Sequence, residues 1–545
     1  MVVPAAQTTS RSGATPRRTT AAASEWLPRC TVTLMVVLCV VNVANDLAAQ
    51  SRGRSEEPAR RHNAVAVHGE DAAEPLFVPL AVDKSRAKEA LKRFYKLADA
   101  HRGNPSALRA LSDLAGYDHP YVVDGLLELF AHGRPYLQPT ARRVLSSMAS
   151  PPSLERIAEA GLGHSEAEVR EQVLLALADG RPSGLDWIAA AEAALSDGDA
   201  AVRAAAVRAV GLGRLVSSTA ALIDLADDPS QRVRMAVPEA LVRLAGQRSL
   251  PVLRALSRDP QWRVRVQVVT ALVDLKSMRA VVELIDMLGR EEGRVREDIL
   301  TALRTLTGKS HGLNMLAWER FLEIAPQDFL TRADASALDP NSPMSAVTTV
   351  ARYYGLWTLS HRFLFVTDLS TSMDHVDTGR YGDASRATRL ALTQQELGEL
   401  VDDLEDDVQF NLATFSDDTD LWRDDMTRAT PRNKSAALRQ IDNYHTLGGT
   451  NIFSSLKAAF DLAQDQLDSK DADHPAPDTV FLLTDGEPSV GSLTDVSLLL
   501  EYVAERNRVL GLRFQCIALT RSAAARDFLA RLAKRSGGQY VSPLD

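Results

Sequence analysis

The feature that most constrains this chain is a Val-Arg pair that returns at a nearly fixed interval. Val169-Arg170, Val202-Arg203, Val233-Arg234, Val264-Arg265 and Val295-Arg296 place their arginines 33, 31, 31 and 31 residues apart. Six residues after each arginine stands Ala176, Ala209, Ala240, Ala271 or Ala302, and the next residue is always apolar: Leu177, Val210, Leu241, Leu272 or Leu303. Three residues after each arginine lies Val173, Ala206, Val237, Val268 or Ile299. These positions form one stripe along a helix. A second apolar helix follows in each unit, as residues 279–288 follow residues 264–275. A helix pair of this size cannot bury its stripe alone, so the units must stack, and the recurring alanine is small where neighbouring helices approach. Asp197, Asp228 and Asp259 stand six residues before an arginine, and two precede Pro229 and Pro260. That pattern predicts a helix N-cap with proline at the first helical position. Pro238 falls inside a predicted helix, where it kinks the helix or costs roughly 3 kcal/mol relative to alanine.

These units resemble HEAT repeats of the short bacterial type over residues 85–322, with five clear units and two degenerate ones expected within residues 87–150. The resemblance implies an all-α solenoid whose concave face is a protein-interaction surface; the bland alternative is a spacer. The recurring arginines are expected to form a structural ladder to acidic or carbonyl groups of neighbouring units, not a phosphate-binding stripe. Some solenoids of this type act as lyases on pigment proteins, and no residue pattern here points to that chemistry. Thr307-Gly308-Lys309-Ser310 lacks the upstream glycine of a phosphate loop, so Gly308 reads as a helix C-cap. Residues 317–322 read as a closing helix, and residues 325–345, with Pro326, Pro340 and Pro343, as a linker.

Upstream of the repeats, Arg11, Arg17, Arg18 and Arg29 precede an apolar run over residues 31–43, which is shorter than the about 20 residues a spanning helix needs. Ala48-Ala49-Gln50-Ser51 supplies small residues for cleavage. Residues 1–50 are therefore expected to be a signal peptide or an uncleaved membrane anchor, residues 51–84 a disordered tether, and the protein exported to the periplasm, cell envelope or exterior. Of the three cysteines, Cys30 and Cys39 lie in that segment, leaving Cys516 and no disulfide framework. A formal net charge of -9 argues against a nucleic-acid partner.

Residues 353–545 alternate strand and helix: strands at 363–367, 408–415, near Leu421, 479–483, 513–519 and 539–541, with helices at 387–404, 433–444, 452–467, 496–509 and 523–534. The alternation predicts a doubly wound α/β sheet, Rossmann-like in layering, whose ligands bind beyond the carboxyl ends of the strands. Three loops there carry hard oxygens: Asp368-Leu369-Ser370-Thr371-Ser372, Gly448-Gly449-Thr450-Asn451 and Thr484-Asp485-Gly486-Glu487. Each is ordinary alone. In this order, each at an element boundary, they resemble the metal-ion-dependent adhesion site of von Willebrand factor type A domains.

That resemblance implies that Ser370, Ser372 and Thr450 offer hydroxyls to an ion, and that Asp368 and Asp485 bind it directly or through water. Two carboxylates with neutral hydroxyls suit Mg²⁺, with Mn²⁺ or Ca²⁺ as alternatives, and leave residual charge for an acidic group of a protein partner. Asp374 and Asp377 differ in spacing from a second metal site and read as solvated loop. Asp402, Asp403, Glu405, Asp406 and Asp407 read as a solvated helix end, and His361, His375 and His445 as surface or satisfied residues. No catalytic triad, paired-carboxylate, dinucleotide or zinc pattern is present in the sequence, so a non-enzymatic binding scaffold is expected. The resemblance leaves open a second role, an intracellular assembly factor beside an AAA+ ATPase. Many domains of this kind end in a further helix that couples to the metal; only Ser542-Pro543-Leu544-Asp545 follows the last predicted strand. That coupling helix is expected to be absent, and the flank it would leave open to be covered by residues 347–359, the solenoid or a partner.

Overall fold

The computed structural model describes residues 83–100, 105–133, 135–324, 350–376, 387–468 and 476–544. The expected signal segment at 1–50, most of the tether, the 325–345 linker and Asp377 lie outside these residues. The described part comprises a helical array followed by an α/β domain, as the periodicities require.

Five helices carry the Val-Arg pairs: Ala167–Gly180, Ala200–Gly213, Gln231–Ala245, Trp262–Leu275 and Gly293–Thr307. Each is followed by a second helix, such as Met278–Leu288, and Met315–Ile324 closes the array. The stripe residues Val169, Val173, Val233, Val237, Val264, Val268, Val295 and Ile299 are all buried. At Gly211 a Cβ would lie 2.9 Å from the Cα of Ala240, which shows how closely adjacent repeats approach at these small residues. Helix Gln231–Ala245 runs through Pro238, so the proline does not end it. Gly308 caps its helix at φ 67°, donating its N–H to Arg304 at 2.8 Å.

The arginine ladder forms as expected. Arg170 donates to both carboxylate oxygens of Asp197 at 2.8 and 3.0 Å and to the carbonyl of His164 at 2.8 Å. Arg203 does the same with Asp228 and the Asp197 carbonyl, and Arg234 with Asp259 and the Asp228 carbonyl. Arg265 turns to Glu291 instead. Each guanidinium thus ties its own helix start to the next repeat. The N-cap expectation fails for the same reason. Asp197, Asp228 and Asp259 accept the N–H two residues on, at 2.8 Å each, and the caps are Asp199, Ser230 and Gln261. Taken up by the preceding repeat's arginine, these aspartates sit two residues short of the cap position, and Pro229 and Pro260 precede the helices.

The α/β domain opens with a hairpin, β1 (Ala351–Tyr353) and β2 (Leu356–Thr358), absent from the sequence expectation. Strands β3 (Arg362–Asp368), β4 (Gln409–Phe415), β5 (Thr419–Leu421), β6 (Thr427–Arg428), β7 (Thr479–Thr484), β8 (Arg513–Ala518) and β9 (Tyr540–Val541) form one sheet in the order β5-β4-β3-β7-β8-β9, with β6 also on β4. The β4, β3, β7, β8 and β9 neighbours pair in parallel, and β5 and β6 are antiparallel to β4. Helices α1 (Arg389–Asp403), α2 (Pro431–Asp442), α3 (Ile452–Asp468), α4 (Val496–Leu510) and α5 (Ala523–Ser536) follow the expected order. One sheet face packs Phe363, Phe365, Phe481 and Ile517 with Leu390 and Leu397 of α1. On the other, Phe514 meets Phe460 of α3. The hairpin covers the first face, with Tyr353 edge-on to Phe365 and Phe481 at 6.0 and 5.8 Å in the cluster that holds Ile517 and Leu519. The segment before β3 thus contributes part of this core.

The amino-terminal ends of β3, β7 and β8 rest on the repeats. Arg263 donates to the carbonyl of Leu510 at 2.8 Å, and Arg294 to those of Asp478 at 2.8 Å and Gly511 at 3.2 Å. Buried Glu297 accepts from the Thr358 hydroxyl at 2.9 Å and the Leu359 N–H at 3.0 Å, and pairs with Arg513, which also pairs with Asp298. Farther along, Arg142 pairs with Glu505 and Arg143 with Glu501 of α4. The repeat face bearing Arg263 and Arg294 is thus taken by the chain's own α/β domain. Because removing one member of a buried pair strands the other, Glu297→Ala is expected to lower stability by about 3–5 kcal/mol. Urea unfolding measures this, and an unchanged midpoint contradicts the interface.

Candidate metal centre

At the opposite, carboxyl end of the sheet, roughly 20 Å away along strands of this length, the three oxygen-bearing loops meet. β3 pairs with β7 from Phe363↔Thr479 to Thr367↔Leu483, so Asp368 and the Thr484-Asp485 turn emerge side by side. Asp368 is fully buried. Its Oδ1 accepts the Ser370 N–H at 2.7 Å, and its Oδ2 accepts the Thr484 hydroxyl at 2.5 Å. The Ser370 and Ser372 hydroxyls lie 3.0 Å apart, and Ser372 donates to Asp485 Oδ1 at 2.6 Å. The structure therefore joins four of the five expected residues in one hydrogen-bonded chain.

Thr450 comes from the third loop. Its N–H donates to Ser489 Oγ at 2.9 Å, its carbonyl accepts the Ser489 N–H at 3.0 Å, and a Cβ on Gly486 would lie 3.2 Å from its hydroxyl. The loop is pinned from below. Gly448, at φ 52°, passes so close to Asp417 that a Cβ would sit 2.5 Å from the carboxylate, and Asp417 accepts the Gly449 N–H at 2.7 Å. Leu447 donates its N–H to Leu369 at 2.6 Å, tying the first loop to the second.

Burial pushes the Asp368 carboxyl up to about 6, against the lowering effect of its bonds from Thr484 and Ser370, with Asp485 adding to the rise. A carboxylate held above its ordinary value costs stability as pH climbs from that value to about 6, because the unfolded chain ionises more readily. A cation among these oxygens offsets that cost. Two carboxylates with hydroxyls make an all-oxygen donor set for a hard ion such as Mg²⁺, unlike the nitrogen and sulfur sets that hold zinc or copper. Among the described residues, no cluster of three or more His, Cys, Asp or Glu forms an alternative site.

Sequence reasoning missed Arg389. On the first turn of α1, its Nη1 donates to Asp485 Oδ2 at 2.7 Å, with the two side chains 12% and 0% exposed. A signal was available, since a cation at a helix N-terminus opposes the helix dipole unless a carboxylate holds it there. The sequence reading also passed over the arginines that precede the repeat valine, Arg263 and Arg294, which dock the domain. Other acids behave as expected. Asp374 is exposed and accepts from Thr446 at 2.7 Å, and Asp402, Asp403, Glu405, Asp406 and Asp407 are exposed. His375 and His445 are exposed, and His361 lies 3.6 Å from exposed Asp407.

A family model described as von Willebrand factor type A domain matches residues 62–180 and 381–542, more than half of the chain. The chain belongs to the von Willebrand factor type A family. The second matched stretch covers the α/β domain from before α1 through β9 and includes Thr450 and Asp485, whereas β1 to β3 with Asp368, Ser370 and Ser372 precede it; the first stretch falls on helices where it is described. A model for HEAT repeats matches residues 188–264. Inter-alpha-trypsin inhibitor heavy chain H4 of Homo sapiens is 32% identical over 148 residues, covering 26% of this chain. Heavy chain H3 of Mus musculus is 29% identical over 141 residues, covering 25% of this chain. This chain spans 14% of the length of either protein. Among solved structures, a von Willebrand factor type A protein from Catenulispora acidiphila is 18% identical, covers 34% of this chain and 39% of its own, and gives a TM-score of 0.26.

Thr484→Val removes a donor from a fully buried carboxylate and is expected to cost about 1–3 kcal/mol at pH 7. Denaturant unfolding checks this, and a neutral result contradicts the assigned Thr484–Asp368 bond.

Proposed function

We propose that this type A protein is an exported, metal-dependent protein-binding scaffold in which Asp368, Ser370, Ser372, Thr450 and Asp485 hold a divalent cation, Mg²⁺ foremost, that takes up an acidic group of a partner. The meeting of two loops in the Ser370–Ser372–Asp485 hydrogen-bonded chain, with the Thr450 hydroxyl of a third loop beside Gly486, carries this reading. Hydroxyls and carboxylates drawn together beyond the carboxyl ends of β3 and β7 serve a small hard ion better than they serve one another. The bound ion would supply Lewis acidity toward an anionic oxygen. The chain's own residues fix its place, with Asp368 anchored by Thr484 and Ser370, Asp485 by Ser372 and Arg389, and Thr450 by Ser489. No covalent step is assigned to them.

The repeats serve as a base. They hold the amino-terminal strand ends through Glu297 and Arg294, and Tyr136 packs on Phe453 at the start of α3. Export rests on the charged and apolar pattern of residues 1–50. Among the described residues, no helix is long and apolar enough to cross a membrane.

Ion binding to the folded state alone raises its melting temperature by mass action. Millimolar Mg²⁺ is expected to raise the melting temperature of the parent chain by several degrees and to leave Asp485→Ala unmoved. Equal shifts in both proteins contradict the site.

A further inference from the structure

We propose that Arg389 sets the net charge of the metal centre, weakening its hold on the cation while keeping the loaded centre positive toward an anionic partner group. The inference rests on the metal-binding reading and deepens it. Two carboxylates, Asp368 and Asp485, would cancel a divalent ion completely. Asp485 is not free to do so. Its Oδ2 takes the Arg389 guanidinium at 2.7 Å and its Oδ1 takes the Ser372 hydroxyl at 2.6 Å, with the Asp485 side chain fully buried. Counting Arg389, the centre carries one negative charge without the ion and one positive charge with it. A net positive site attracts a carboxylate, whereas a neutral one has only the ion's residual coordination to offer.

The arginine is fixed where it can do this. Its N–H donates to the carbonyl of His375 at 2.9 Å, Val376 and Thr388 form a β-bridge, and the Thr388 hydroxyl caps α1 through the Ala391 N–H at 3.1 Å. The start of α1 is thereby tied to the turn that carries Ser370 and Ser372. The positive end of the helix dipole opposes an arginine on this turn, so the Asp485 pair offsets an unfavourable placement. Arg389 is a positioning and charge-setting residue, and the partner chemistry it selects is a carboxylate or similar anion.

A charge role and a structural role predict opposite signs. If Arg389 merely held Asp485 in place, losing it would weaken metal binding. If its charge matters, losing it strengthens metal binding. The test uses the full chain with Mn²⁺ as the metal, free Mn²⁺ followed by electron paramagnetic resonance, and acetate binding to the loaded centre followed by water-proton relaxation. Arg389→Gln is expected to bind Mn²⁺ roughly tenfold more tightly and to take acetate several-fold more weakly. Arg389→Lys, which keeps the charge, should stay near the parent on both counts, and added salt should shrink the differences. Melting curves confirm that each variant is folded; should Arg389→Gln unfold, Arg389→Met replaces it. Equal or weaker Mn²⁺ binding by the folded neutral variant overturns the charge role and leaves the metal site standing. Failure of the folded parent chain to bind Mn²⁺ overturns the metal reading, and this inference with it.

Discussion

The polarity of the parallel sheet is the constraint on which the rest depends. Parallel strands send all their amino ends one way and all their carboxyl ends the other, and this chain gives the two ends opposite jobs. At the amino end, Glu297 sits among the Thr358 hydroxyl, the Leu359 N–H and the Arg513 guanidinium. Charges that leave water need such complete sets of partners, because a buried ion without them is costly. At the carboxyl end the same logic runs differently. Asp368 keeps two donors and remains pushed up to about 6, a site satisfied in part and able to gain from a cation.

The repeats frame the α/β domain as well as themselves. The arginines that follow the repeat valine, at 170, 203, 234, 265 and 296, bind the array to itself, and Arg263 and Arg294 bind it to the α/β domain. Both sets use one geometric property, a planar fork that spans a carboxylate or two carbonyls. The hairpin of β1 and β2 joins the two regions: Glu297 grips the end of β2, and Tyr353 packs on the sheet face that α1 also covers. Arg389, on that same helix, reaches Asp485 of the candidate metal centre.

Much of this was legible in the sequence. The 31-residue period and the alternation of strand and helix fixed the two architectures, because both follow from which residues must leave water together. The site loops were legible because Asp368, Thr450 and Asp485 each stand at an element boundary. What escaped detection was pairing at long range. Nothing local to Asp228 says that its carboxylate belongs to Arg203, so a cap was the natural reading. The hairpin strands span three residues each, too few to show alternation, and their place depends on Phe365 and Phe481 beneath them. Arg389 stands 96 residues from Asp485, and only the fold brings them to 2.7 Å.

Everything proposed for the carboxyl end of the sheet requires a cation among the three loops. Anomalous diffraction from crystals grown with Mn²⁺ tests it most directly. A peak enclosed by oxygens of Asp368, Ser370, Ser372, Thr450 and Asp485 is expected, with Arg389 outside the coordination sphere on the far side of Asp485. No peak there at saturating Mn²⁺, or a peak held by other residues, would contradict it.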